Sequence, residues 1–117
     1  MEKKQGVLRL LYACKYSWQG LQSALLNEEA FRQEFIIISI LTIVSLFFNI
    51  SGLEHLALIA SLIFVLIVEL LNSAIECVVD RISLENHMLS GRAKDYGSLA
   101  VLLSLVIACS TWWLILS

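Results

Sequence analysis

Two charge-free stretches limit what this chain can fold into. Residues 35–53 run for 19 positions, and residues 96–117 for 22, without an Asp, Glu, Lys or Arg. About 20 apolar residues in a helix cross roughly 30 Å of hydrocarbon, so both read as membrane spans. A third apolar run starts after Glu54 and His55, continues through residues 56–68, and then meets polar side chains. The chain is 59% hydrophobic and has no proline, which suits uninterrupted helices in a membrane better than a soluble core. Its 117 residues leave room for one domain, and too little volume to enclose a large active site alone, so an oligomer is expected.

The expected architecture is therefore an all-α membrane protein, a single unit over residues 1–117. An N-terminal amphipathic surface helix occupies 5–26, and three transmembrane helices follow at 29–50, 54–80 and 96–116. In the surface helix Val7, Leu10, Leu11, Cys14, Trp18, Leu21 and Leu25 recur at helical spacing, while Arg9, Lys15, Gln19 and Gln22 lie elsewhere on the wheel. That pattern describes a helix lying in the membrane interface; the alternative is a helix packed on the bundle. The first residues lack the apolar core and small-residue cleavage site of a signal peptide. Asn27 is the expected N-cap of the next helix, with Glu28 and Glu29 in its first turn. Asn49, Ser51 and Gly52 mark a tight turn, and Trp112 and Trp113 read as interface anchors.

The chemistry concentrates in the second span. Glu69, Asn72, Ser73, Glu76 and Asp80 stand at i, i+3, i+4, i+7 and i+11, one narrow stripe at about 100° per residue. An ionisable group at membrane depth costs at least a few kcal/mol, so each is a functional candidate. Lys3, Lys4, Arg9, Lys15, Arg32, Arg81, Arg92 and Lys94 all precede the first span or lie between the second and third. The positive-inside rule puts the N-terminus and an 81–95 loop in the cytoplasm, and the C-terminus outside. If the second span enters hydrocarbon near Leu56, about 20 residues bring it to the inner boundary near Glu76. Glu69 then lies about 10 Å deeper, and Glu28 lies level with Glu76. Two carboxylates at that level suit a hard cation such as Mg²⁺, and the deeper Glu69 suits a proton acceptor.

Ordinary explanations exist for each residue taken alone. A membrane glutamate is often a structural hydrogen-bonding group, Glu28 and Arg32 are an i, i+4 pair, and Glu76 and Asp80 have Arg81 nearby. The shared stripe, the matching depth of Glu28 and a polar segment holding Glu85, His87, Arg92, Lys94 and Asp95 count against them together. Cys14, Cys77 and Cys109 fit no metal or redox spacing and read as small buried hydrophobes.

The segments YSWQGL (16–21), NEEAFRQE (27–34), VELLNSAIECVVDR (68–81) and ENHMLSGRAKDYGSLAV (85–101) carry a resemblance. They resemble the small integral-membrane diacylglycerol kinase family of Gram-negative bacteria, over nearly the whole chain; residues 49–55 and the outer half of the first span are more loosely similar. The resemblance implies a homotrimer in the bacterial inner membrane, with a surface helix and three transmembrane helices per subunit and active sites shared between neighbours. It implies transfer of the ATP γ-phosphate to diacylglycerol, giving phosphatidic acid. Glu69 matches the catalytic base, Asn72 a polar residue of the catalytic centre, and Glu28 and Glu76 the carboxylates that hold magnesium on the nucleotide. Arg9, Tyr16, Glu85, Asn86, His87, Lys94 and Asp95 match ATP contacts, together with Glu28 and Glu76. Lipid contacts would come from Arg9, Ala13, Cys14, Lys15, Tyr16, Ser17, Trp18, Ala30, Phe31, Arg32, Gln33, Glu34, Glu69, Ser98 and Trp112.

No Walker A motif or Gly-rich phosphate loop is present, so ATP enters through the resemblance and not through a nucleotide motif. Two alternatives remain open from sequence: an undecaprenol kinase of the same fold, and a small proton-coupled transporter using Glu69 as its carrier carboxylate.

Overall fold

The computed structural model describes residues 5–117, and their regular structure is entirely helical. Lys3 and Lys4, which contribute to the charge asymmetry, lie outside the described residues. Four helices follow one another: α1 (Gly6–Asn27), α2 (Glu29–Ser45), α3 (Gly52–Ile82) and α4 (Met88–Leu116). The last two, of 31 and 29 residues, are long and apolar enough to cross a membrane.

A single residue, Glu28, separates α1 from α2. Its backbone is extended, at φ −109° and ψ 102°, so it ends one helix and begins the next. The expected cap, Asn27, is instead the last residue of α1, and its side-chain amide donates to Ser23 Oγ at 3.1 Å. Helix α1 packs mainly on α2 and buries Ala24 alone, leaving Val7, Leu10, Leu11 and Trp18 exposed. The N-terminal part of its apolar stripe therefore has no cover within one chain, as an interfacial helix requires, while Leu21 and Leu25 are partly buried.

Helix α2 stops at Ser45, and Leu46, Phe47 and Phe48 follow in a tight turn of i to i+3 bonds. The cause is a tertiary partner. His55, from the first turns of α3, sets Nε2 3.0 Å from the Ser45 carbonyl oxygen and Nδ1 3.1 Å from that of Ser51. Helix α3 begins with a capping box: Ser51 Oγ accepts from the Glu54 N–H, and the Glu54 carboxylate accepts from the Ser51 N–H, both at 3.1 Å.

Helices α3 and α4 run antiparallel and share the largest interface. Three contacts fix their register. The Trp112 indole N–H donates to the Leu58 carbonyl at 3.2 Å, Asn72 lies against Gly97, and Lys94 meets Asp80 at 2.8 Å. The residues that α4 buries are all small, Gly97, Ser104 and Ala108, spaced seven and four apart. Such a seam lets two apolar helices approach closely when lipid offers no hydrophobic drive between them. Ile38, Leu62, Val65 and Ala108 form the buried core where α2, α3 and α4 meet, with Leu41, Leu66 and Trp112 at its edge.

Two further sequence expectations are corrected. The expected 81–95 loop is irregular only over residues 83–87; from Met88 onward it is helix, so Arg92, Lys94 and Asp95 ride on the start of α4. His87 initiates that helix by accepting the Leu89 N–H at Nδ1, and Met88, Leu89, Arg92, Ala93 and Lys94 are good helix formers. Cys14, Cys77 and Cys109 are exposed in the single chain and not buried. Large apolar side chains such as Ile40, Ile63, Leu102 and Val106 are exposed as well. A surface of that kind suits lipid or further copies of the chain, and not water.

Replacing His55 by Ala removes one of the two hydrogen bonds at the Ser45 carbonyl, which keeps the Phe48 N–H, and should cost about 0.5–1.5 kcal/mol. The expected readout is a lower midpoint of thermal unfolding in detergent, with unchanged helical content below the transition.

Candidate active site

The stripe on α3 passes from buried to open. Glu69, Asn72 and Ser73 are buried at 6–9% exposure, Glu76 is half-buried, and Asp80 is exposed. The same helical periodicity that lines them up carries them out of the packed region one turn at a time. The Asn72 amide donates to Glu76 Oε1 at 3.3 Å, one turn along. Its own oxygen, Asn72 Oδ1, is buried and accepts no hydrogen bond.

Two more carboxylates approach from other elements. Glu69 lies within the electrostatic field of Glu76 and of Glu28, and Glu34 within that of Glu69. The Glu28 carboxylate makes no capping bond to α2, and its Oε1 receives the Cys77 thiol at 3.8 Å, which ties it to α3 beside Glu76. Arg32 does not pair with Glu28 as an i, i+4 partner would. Its Nη1 reaches back to the carbonyls of Leu25 and Leu26 at 3.0 and 3.5 Å, where a cation satisfies the end of α1. Glu28 is left available. Glu34 stands at one end of an apolar groove of about 340 Å³ between α2, α3 and α4, and Oε2 of its carboxylate is buried without a partner.

Around the 83–87 connection lies a second space. An open cleft of about 390 Å³ is lined by Asp80, Ser83, Glu85, Asn86, His87 and Lys94 among others, within the size range of small-molecule sites. Lys94 lies just outside the charge-free stretch, and its hydrogen bond to Asp80, together with the Asp80 charge, holds its ammonium above the ordinary lysine value. Both side chains are nearly half exposed, so the pair is weak and easily redirected. The Lys94 charge is thus held at the cleft by a replaceable partner.

Other expected residues lie apart. Arg9 and Tyr16 are exposed on α1, with the Tyr16 ring 6.0 Å from that of Tyr12. Ala13, Cys14, Ser17 and Trp18 line an open groove along α1, while Lys15 stands over the Tyr12 ring at 5.9 Å. Phe31 is buried; Ala30, Gln33 and Ser98 are exposed, and Gln33 donates to Glu29 at 3.3 Å. Trp112 packs edge-on to Phe48 at 6.3 Å and borders the groove that begins at Glu34. Asp95 is exposed and does not line the cleft. Within one chain, the carboxylates converge, while the α1 residues remain at a distance from them.

Sequence reasoning overlooked two residues here. Cys77 was read as inert packing, and its contact with Glu28 joins positions 49 residues apart. Gly97 was read as part of a span. A glycine inside a helical pattern loses about 1 kcal/mol against alanine, and that was the available signal of a packing requirement.

The model of the prokaryotic diacylglycerol kinase family matches residues 15–116. The chain belongs to that family. It is 47% identical over 111 residues to the diacylglycerol kinase of Escherichia coli strain K12, covering 95% of this chain and 91% of the relative. The Haemophilus influenzae diacylglycerol kinase is 47% identical over 112 residues, covering 96% and 95%. That of Pseudomonas aeruginosa is 45% identical over 111 residues, covering 95% and 90%. The match spans α2, α3, α4 and most of α1, so every carboxylate of the stripe falls within it.

Removing the Arg32 guanidinium by Arg32→Ala uncovers the last carbonyls of α1, at a cost of about 1–2 kcal/mol locally. Amide hydrogens of the α1–α2 junction should then exchange about tenfold faster, while those in the middle of α3 keep their protection.

Proposed function

We propose that this chain phosphorylates diacylglycerol at the inner face of a bacterial cytoplasmic membrane, transferring the γ-phosphate of ATP to give phosphatidic acid. The observation that carries the reading is the convergence of Glu28, Glu69 and Glu76, with Asn72 bonded to Glu76, where the α3 stripe passes from buried to open. A lipid hydroxyl lies just below the headgroups and a nucleotide arrives from water. Carboxylates graded in burial along one helix suit both.

In the proposed reaction the diacylglycerol hydroxyl oxygen attacks the γ-phosphorus as the bond to the β-γ bridging oxygen breaks. ADP departs with that electron pair, and the hydroxyl proton passes to Glu69. Phosphoryl transfer depends on alignment and charge neutralisation more than on covalent help. Among the described residues no set of three His, Cys, Asp or Glu side chains is arranged to hold a metal alone. Glu28 and Glu76 nevertheless fit magnesium, because both are hard oxygen donors and Mg²⁺ usually combines one or two carboxylates with phosphate oxygens. Bound there, magnesium would neutralise charge on the phosphates. Asn72 keeps Glu76 oriented through its amide. Lys94 exchanges Asp80 for phosphate oxygen, with Glu85, Asn86 and His87 along the same cleft. Diacylglycerol contacts are assigned to the α1 groove and to the neighbourhood of Glu34.

The arrangement we propose has three spans, with α2 as the first, and places the N-terminus and residues 81–95 in the cytoplasm and the C-terminus in the periplasm. A homotrimer with shared sites would cover apolar faces that one chain leaves bare.

The deciding experiment is ATP-dependent labelling of lipid by the purified protein in mixed micelles. Label should enter diacylglycerol in preference to undecaprenol. Equal or greater labelling of undecaprenol would reassign the acceptor, and no transfer to either lipid would overturn the kinase reading. Glu69→Gln should abolish turnover while MgATP binding stays close to wild type. Neutralising Glu28 or Glu76 should raise the magnesium concentration for half-maximal rate, and an unmoved titration would remove them as ligands.

A further inference from the structure

We infer that Gly97 is a positioning residue for the proposed catalytic centre, its missing side chain being the seat in which α4 holds the Asn72 amide. The inference deepens the function proposed above and rests on it.

Gly97 is buried in the α3–α4 interface, one turn from Lys94. A Cβ built on it would run into Asn72 Oδ1, with Asn72 Cγ 3.1 Å away and Asn72 Cβ 3.8 Å away. All three of the nearest atoms belong to that one side chain. Gly20, Gly52 and Gly91 have open space in the same direction. Backbone geometry does not require a glycine here: Gly6 is the positive-φ glycine among the described residues, and Gly97 is ordinary helix. Glycine in that setting is worse than alanine by about 1 kcal/mol. What it supplies is room, and the room is filled by one amide.

That amide needs a wall. Asn72 can form up to four hydrogen bonds, and the structure gives its side chain one, from Nδ2 to Glu76 Oε1 at 3.3 Å. Oδ1 is buried and unpartnered. A single long hydrogen bond between neighbouring turns does not fix an amide against rotation, but the bare backbone of α4 does so by shape. Any side chain at 97 pushes the amide off α4, takes Nδ2 from Glu76 and disturbs the stripe one turn from Glu69. Gly97 touches no reacting group, so its effect on the reaction runs through Asn72.

The test pairs Gly97→Ala with Asn72→Ser, which removes Oδ1, the atom that a Cβ at 97 would run into. Alone, Gly97→Ala should lower kcat by about 10–100-fold, the scale of a small misplacement, with KM for MgATP and for diacylglycerol within about twofold of wild type. Alone, Asn72→Ser should also lower kcat. In the Asn72→Ser background, Gly97→Ala should cause no further loss of kcat, and it should raise the thermal midpoint in detergent because the better helix former now fits.

Wild-type kcat in Gly97→Ala, or an equal loss from Gly97→Ala in both backgrounds, overturns the inference. Should Gly97→Ala fail to fold alone, folding of the double variant supports the seat, and failure of both overturns it. Full activity in Asn72→Ser would instead remove Asn72 from the catalytic centre. The thermal midpoints would still report on the packing, so the two failures are distinguishable.

Discussion

The structure depends on how closely two apolar helices can approach. In lipid, α3 and α4 gain little by covering each other's leucines, because lipid covers them equally well. Their contact rests on the small residues Gly97, Ser104 and Ala108, on the Trp112 indole at the Leu58 carbonyl, and on Lys94 at Asp80. With that register set, Glu69, Asn72 and Ser73 are withdrawn from lipid and Asp80 is left in the open. Most of α4 outside the seam stays uncovered, which leaves it free for lipid or for another copy.

Helical periodicity made much of this legible in the sequence. The polar stripe on α3, the amphipathic face of α1 and the turn at Ser51 follow from residue types at fixed spacing, and the structure has each. The failures have a common physical origin. Charge density around Arg92 and Lys94 suggested a loop, but charge is compatible with helix, and capping by His87 decided the matter. The i, i+4 pair of Glu28 and Arg32, the ordinary alternative to a functional Glu28, is not formed, because the carbonyls of Leu25 and Leu26 hold the guanidinium. The end of α2 at Ser45 depends on His55, ten residues further on, which no local pattern announces. The role of Gly97 was hidden for the same reason: its reason for being glycine lies on another helix.

Three recesses are open in one chain, and two of them are lined by carboxylates. The cleft at residues 83–87 is polar, the groove that begins at Glu34 is apolar, and the groove on α1 stands away from both. The carboxylate column links the first two.

Glu28 deserves a mechanical description as well as a chemical one. It belongs to neither α1 nor α2, and its extended backbone is the whole of the joint between them. Helix α1 is therefore a lever of 22 residues whose pivot carries the carboxylate that reaches Cys77 on α3. Arg32 clasps the lever at its short end. Any tilt of α1 is transmitted first to the Glu28 side chain.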